Sequence, residues 1–162
     1  MKTKILLIFD LDDTLYARYG VVADNYSGIE NIKIYEGVKE ILTDQKFEKV
    51  LVTMGDKKVQ DKKIVLLGIK NYFSSILICS DKEQKKECFQ TLTKRYPKFK
   101  KIVIGDRRDS EIKYGNELNL ITILIKSGKY KDLKATNDFE IANYEINNIT
   151  ELSEVLNKIC KQ

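Results

Sequence analysis

Five short apolar runs constrain this chain most: residues 5–9, 50–52, 76–79, 102–104 and 121–125. They are rich in β-branched residues and almost uninterrupted. Hydrophobicity that is continuous rather than alternating means burial on both faces, as in parallel strands covered by helices on each side. The stretches between the runs have helical spacing. Residues 36–45 put Val38, Ile41 and Leu42 on one side. Residues 56–67 end at Gly68, a good residue for the position after a helix. Residues 83–95 turn Cys88, Phe89 and Leu92 inward and stop before Pro97. Residues 110–118 follow the fourth run, a short sixth strand is expected at 144–146, and residues 150–159 close the chain with Thr150 as N-cap.

Strand–helix alternation of this kind predicts an α/β fold. The expected architecture is one doubly wound, Rossmann-like domain over 1–162, with a mostly parallel sheet of five to six strands. The 162-residue length suits one domain. Residues 16–31 and 126–138 fit neither period and read as long loops. The first is polar and aromatic, the second Lys-rich.

Ligands of such sheets bind beyond the carboxyl ends of the strands. Strand one is followed by Asp10-Leu11-Asp12-Asp13-Thr14, and strand two by Thr53-Met54-Gly55-Asp56. Strand three is followed by Ser80-Asp81, with Lys82, Lys85 and Lys86 just after, and strand four by Gly105-Asp106-Arg107-Arg108-Asp109-Ser110-Glu111. Carboxylates this dense raise one another's pKa unless a cation is present. Oxygen-only donors suit a hard ion, and Mg2+ fits best. Singly, each residue has a plainer reading: Asp12 and Asp13 as turn residues, Thr53 as a helix cap, the lysines as surface charge. Together, an Asp nucleophile, a neighbouring carboxylic acid, a hydroxyl, a Lys and a metal-binding Asp are what phosphoryl transfer to a carboxylate requires.

The chain contains no His, so proton transfer near neutral pH falls to carboxylates, Lys, Tyr, Cys or water. Lys+Arg is 29 against 24 Asp+Glu, and the basic residues are spread along the chain. That distribution reads as a solvated face, with nucleic acid not indicated. Three cysteines with no C-x-x-C suit a reducing compartment. No run approaches the ~20 apolar residues of a membrane span, so no membrane association is expected and the chain reads as cytoplasmic.

The strand ends resemble the haloacid dehalogenase (HAD) superfamily in its phosphatase branch. Asp10-Leu11-Asp12-Asp13-Thr14 matches the D-x-D-x-T signature of that family, and Thr53 matches the hydroxyl residue ending the second strand. The motif lysine is Lys85, four residues before Phe89, with Lys82 the second choice. Gly105-Asp106 begins the fourth motif, whose second acid is Asp109 or Glu111. The resemblance implies a Mg2+-dependent phosphoric monoester hydrolase. Asp10 would form an aspartyl-phosphate, and Asp12 would act as general acid and base. The metal would be held by Asp10, the Asp12 backbone carbonyl and Asp106. Thr53, Lys85 and backbone N–H groups near Leu11 and Met54 would bind the phosphoryl oxygens. The gaps after Thr14 and Thr53 are too short for the cap domains of many members. A capless type is therefore expected, with 16–31 as a small flap bearing Arg18, Tyr19, Asp24, Asn25 and Tyr26. Such an open site would take a small or macromolecular phosphorylated substrate, or borrow a cover by forming a homo-oligomer. Two other readings compete: a receiver-like phospho-acceptor module with Asp81 and Lys126 in the key positions, and a binding protein that keeps the fold without catalysis.

Overall fold

The computed structural model describes residues 4–161. Six parallel strands form one sheet: β1 (Lys4–Phe9), β2 (Phe47–Met54), β3 (Ser75–Cys79), β4 (Phe99–Gly105), β5 (Ile121–Ile125) and β6 (Tyr144–Ile146). Their order is β3-β2-β1-β4-β5-β6. The order reverses between β1 and β4, which is where a doubly wound sheet opens a ligand crevice. Receiver modules order their five strands 2-1-3-4-5, so the receiver reading fails on topology.

The helices are α1 (Val38–Thr43), α2 (Lys57–Leu66), α3 (Lys82–Arg95), α4 (Lys113–Glu117) and α5 (Leu152–Cys160). The apolar runs are buried on both sides. One face of the sheet (Leu7, Phe9, Leu51, Ile104 and neighbours) packs against α1, α2 and α5 through Leu42, Ile64 and Leu156. The opposite face (Leu6, Ile8, Val52, Val103) packs against α3 and α4 through Phe89, Leu92 and Tyr114. Strand β3 departs from the expectation. It is an edge strand, and Ile76, Leu77 and Ile78 are only half-buried.

Capping explains several boundaries. Asp56 accepts from Val59 N at 3.0 Å and starts α2, so Thr53 is a strand residue of β2 and not a cap. Asp81 accepts from Gln84 N at 2.8 Å and starts α3. At the last helix the expected Thr150 cap is replaced. Asn148 accepts from Thr150 N at 3.0 Å and caps a 3-10 turn, Ile149–Glu151, that leads into α5. The helix expected over 110–118 begins as a π-turn, Arg108–Ile112, before α4. Cys79 and Cys88 are free thiols whose Sγ atoms lie 3.2 Å apart.

Leu156 is 1% exposed in the cluster that seats α5. Truncation to Ala should cost about 2–5 kcal/mol in a denaturant titration. The same change at Val65, which is 67% exposed, should stay within about 0.5 kcal/mol.

Candidate active site

Parallel register brings the acids together. Phe9 pairs with Ile104, and Asp10 N donates to Ile104 O at 3.0 Å, so Asp10 and Asp106 leave neighbouring strands side by side. Glu111 joins them from the π-turn after β4. Its carboxylate packs over Gly105, where a Cβ would stand 2.5 Å from Glu111 Cγ, so this strand end has no room for a side chain. Oxygens of Asp10, Asp106 and Glu111 all lie within 4.8 Å of one another, and all three residues are buried.

One cation is buried with them. Lys85, from the first turn of α3, donates to Asp10 Oδ1 at 2.7 Å and to Glu111 Oε1. Glu111 is held in addition by Ser110 Oγ at 3.1 Å and Arg107 N at 3.1 Å. Burial works against the Lys85 charge, but Asp10 and Glu111 outweigh it and raise its pKa. One ammonium shared between two carboxylates cannot neutralise three. Burial first, then Glu111 against the partial relief of Lys85, pushes Asp10 up to about 7. Burial followed by Glu111 and Asp10 pushes Asp106 up to about 10. An all-oxygen donor set with this uncompensated charge fits a hard divalent cation.

Asp109 and Lys82 lie outside that cluster. They pair with each other at 2.8 Å, and Arg107 adds two hydrogen bonds to Asp109 at 3.0 and 2.8 Å. Although burial opposes it, those cations hold the Asp109 pKa down to about 2. The geometry thus brings Lys85 and Glu111, rather than Lys82 and Asp109, to Asp10.

Asp12 lines the same cavity but has its own polar partners. Its Oδ1 accepts from Lys63 Nζ at 2.7 Å and from the Tyr16 hydroxyl, and its Oδ2 accepts from Gln60 Nε2 at 3.0 Å. Gln60 also donates to Thr53 Oγ1 at 2.7 Å, so the hydroxyl keeps its own hydrogen for an incoming acceptor. Thr53 is buried at the end of β2, and Met54 closes that side of the cavity. Neither Gln60 nor Lys63 was singled out by sequence. The signal was present: Gln60, Lys63, Ile64 and Leu67 hold the i, i+3, i+4, i+7 positions of a buried helical stripe, and two of the four are polar.

The cavity over these groups measures about 240 Å3. Arg18 and Asp24 from the 16–31 loop reach its wall, whereas Tyr19 and Tyr26 are exposed and Asn25 accepts from Ser27 N at 3.1 Å within a turn. That loop is anchored by buried Tyr16, Val22 and Ile29. The second long loop contributes Lys129 and Tyr130, with the Arg107 guanidinium 4.3 Å above the Tyr130 ring. Asp13 serves structure: its Oδ1 accepts from Arg18 N at 2.8 Å and Tyr19 N at 2.9 Å, fixing the start of the first loop.

The chain is 29% identical over 125 residues to a glyceraldehyde 3-phosphate phosphatase of Methanopyrus kandleri, covering 74% of this chain and 54% of that protein. It is 32% identical over 116 residues to one of Methanocaldococcus jannaschii, covering 68% and 50%. The chain therefore spans about half the length of these curated relatives. The magnesium-bound structure of HAD-hydrolase YfnB of Bacillus subtilis superposes with a TM-score of 0.73 at 21% identity, over 95% of this chain and 99% of that one. No protein-family model matches. The fold and its strand-end acids define a HAD-like hydrolase scaffold. These relatives and the shared fold agree with the sequence resemblance to the haloacid dehalogenase superfamily. No helix among the described residues is long and apolar enough to cross a membrane.

The acid cluster makes a linkage prediction. An unfolded Asp titrates near ~3.9, and folding raises both Asp10 and Asp106. The metal-free fold binds protons more tightly than the unfolded chain. Its stability from this pair is full below about pH 4 and is lost as pH rises through about 7 and on towards about 10. Metal binding needs the ionised acids, so the rise in Tm produced by excess Mg2+ over EDTA should grow with pH. Melting curves from pH 5 to about 9 check this, and a Mg2+ effect that shrinks with pH contradicts it.

Proposed function

We propose that this chain is a Mg2+-dependent phosphoric monoester hydrolase of small phosphorylated metabolites, working through an aspartyl-phosphate on Asp10. The observation that carries the reading is the buried set of Asp10, Lys85, Asp106 and Glu111 at the switch point of the sheet. Lys85 engages Asp10 Oδ1, so the attack on phosphorus falls to Oδ2. The Lys85 ammonium and the free hydrogen of the Thr53 hydroxyl are available to the phosphoryl oxygens. Asp12, on the cavity wall, protonates the departing alkoxide and then takes a proton from the water that hydrolyses the acyl phosphate. Asp10, Asp106 and the Asp12 backbone carbonyl, with Glu111 behind them, would hold the ion. When bound, it supplies neutralisation of the acids and of the phosphoryl charge.

A cavity of about 240 Å3 suits a small ester. Two relatives are named for glyceraldehyde 3-phosphate, which supports a substrate of that size. We take residues 1–162 as one catalytic domain with 16–31 as its flap: from β1 to α1 the chain forms turns, two isolated β-bridges (Asp12 with Tyr16, Tyr16 with Ile34) and a 3-10 turn, Ile29–Asn31, which supports a capless reading.

Release of phosphate from a panel of small phosphomonoesters, with Mg2+ and with EDTA, tests the assignment. Turnover should require the metal. Asp10→Asn should abolish it, because an amide is a poor nucleophile. Asp12→Asn should lower kcat by roughly 10²–10⁴. Full activity in Asp10→Asn would remove the assignment.

A further inference from the structure

The chemistry above uses Asp12 but not the groups that hold it. Lys63 and Gln60 are each 2% exposed and Tyr16 is fully buried. Between them they hold both Asp12 oxygens, through Lys63 Nζ at 2.7 Å, Gln60 Nε2 at 3.0 Å and the Tyr16 hydroxyl. An ammonium buried on a helix face shared with Ile64 and Leu67 is costly unless it is paired. The fold itself does not call for a cation here. Lys63 Nζ lies 5.9 Å from the centroid of the Tyr16 ring, and an unbranched apolar side chain of similar length would pack in the same place. What calls for it is the carboxylate, whose side chain stays 22% exposed towards the cavity. Gln60 also reaches Thr53 Oγ1 at 2.7 Å and Met54 O at 3.3 Å, so the same helix face ties the β1 acid to the β2 strand end.

We infer that Lys63 is a positioning residue for proton transfer: acting through Asp12, with Gln60 and Tyr16, it fixes the carboxylate in one orientation against the leaving-group oxygen. The inference rests on the phosphatase reading and deepens it. Proton transfer depends steeply on placement, and an error of about 1 Å costs on the order of 10²-fold. The loss should therefore fall on esters whose leaving oxygen needs a proton.

The test compares kcat/KM, which reports every step through departure of the alcohol, for an alkyl phosphomonoester and for 4-nitrophenyl phosphate, whose phenolate leaves unprotonated. Lys63→Met should lower kcat/KM for the alkyl ester about 10–100-fold and for the nitrophenyl ester less than about 3-fold. Lys63→Arg should recover most of the loss. In a chain already carrying Asp12→Asn, Lys63→Met should add almost nothing, because it acts through that carboxylate. Equal losses on both esters, or losses that add to those of Asp12→Asn, overturn the inference while the phosphatase reading stands on Asp10-dependent turnover. A wild-type chain that hydrolyses neither ester, or an active Asp10→Asn, overturns the phosphatase reading and takes this inference with it.

Discussion

Three carboxylates and one ammonium share a buried space where the sheet changes direction, and the remaining architecture makes that arrangement possible. Parallel pairing of β1 with β4 sets Asp10 beside Asp106. A glycine at the end of β4 lets Glu111 fold over the strand. Lys85 reaches in from α3 to join Asp10 to Glu111. Each acid alone would be an expensive burial. As a group they form a site whose excess negative charge suits a divalent ion, and that separates a candidate metal site from a set of turn residues.

Asp12 is two residues from Asp10 but inhabits a different environment. It is drawn into hydrogen bonds with α2 and with Tyr16, away from the Lys85 cluster. Two carboxylates on one short segment thus have different hydrogen-bond partners, although both line one cavity. On the proposed reading, such a division would let one serve as nucleophile while its neighbour handles protons. Tyr16 helps because it is packed fully inside and so anchors the first long loop as well as the acid.

The fold was legible because it rests on periodicity and burial. All six strands were anticipated, and β6 falls at 144–146 as read. The errors came where local chemistry chose between near-equivalent residues. Asn148 takes the cap expected of Thr150, because its side chain reaches the Thr150 N–H from two residues upstream. At the site, Asp10, Asp12, Thr53 and Asp106 could be named from their places after apolar runs. The choice between Lys82 and Lys85 depended on the helix face presented to the sheet. The choice between Asp109 and Glu111 depended on a π-turn that helical spacing does not anticipate. Lys63 and Gln60 stayed hidden because a lysine on a Lys-rich helix looks like solvated charge until its partner 51 positions away is seen.

The central claim, a transient phosphoryl ester on Asp10, is most directly tested by quenching the enzyme in acid during steady-state turnover. The denatured protein is then reduced with borohydride, which converts an acyl phosphate to the alcohol, and its peptides are sequenced by mass spectrometry. The account predicts homoserine at position 10 and at no other aspartate, and none in enzyme quenched without substrate. Active enzyme with reduction at a different residue, or with no reducible acyl phosphate at any quench time, would contradict it.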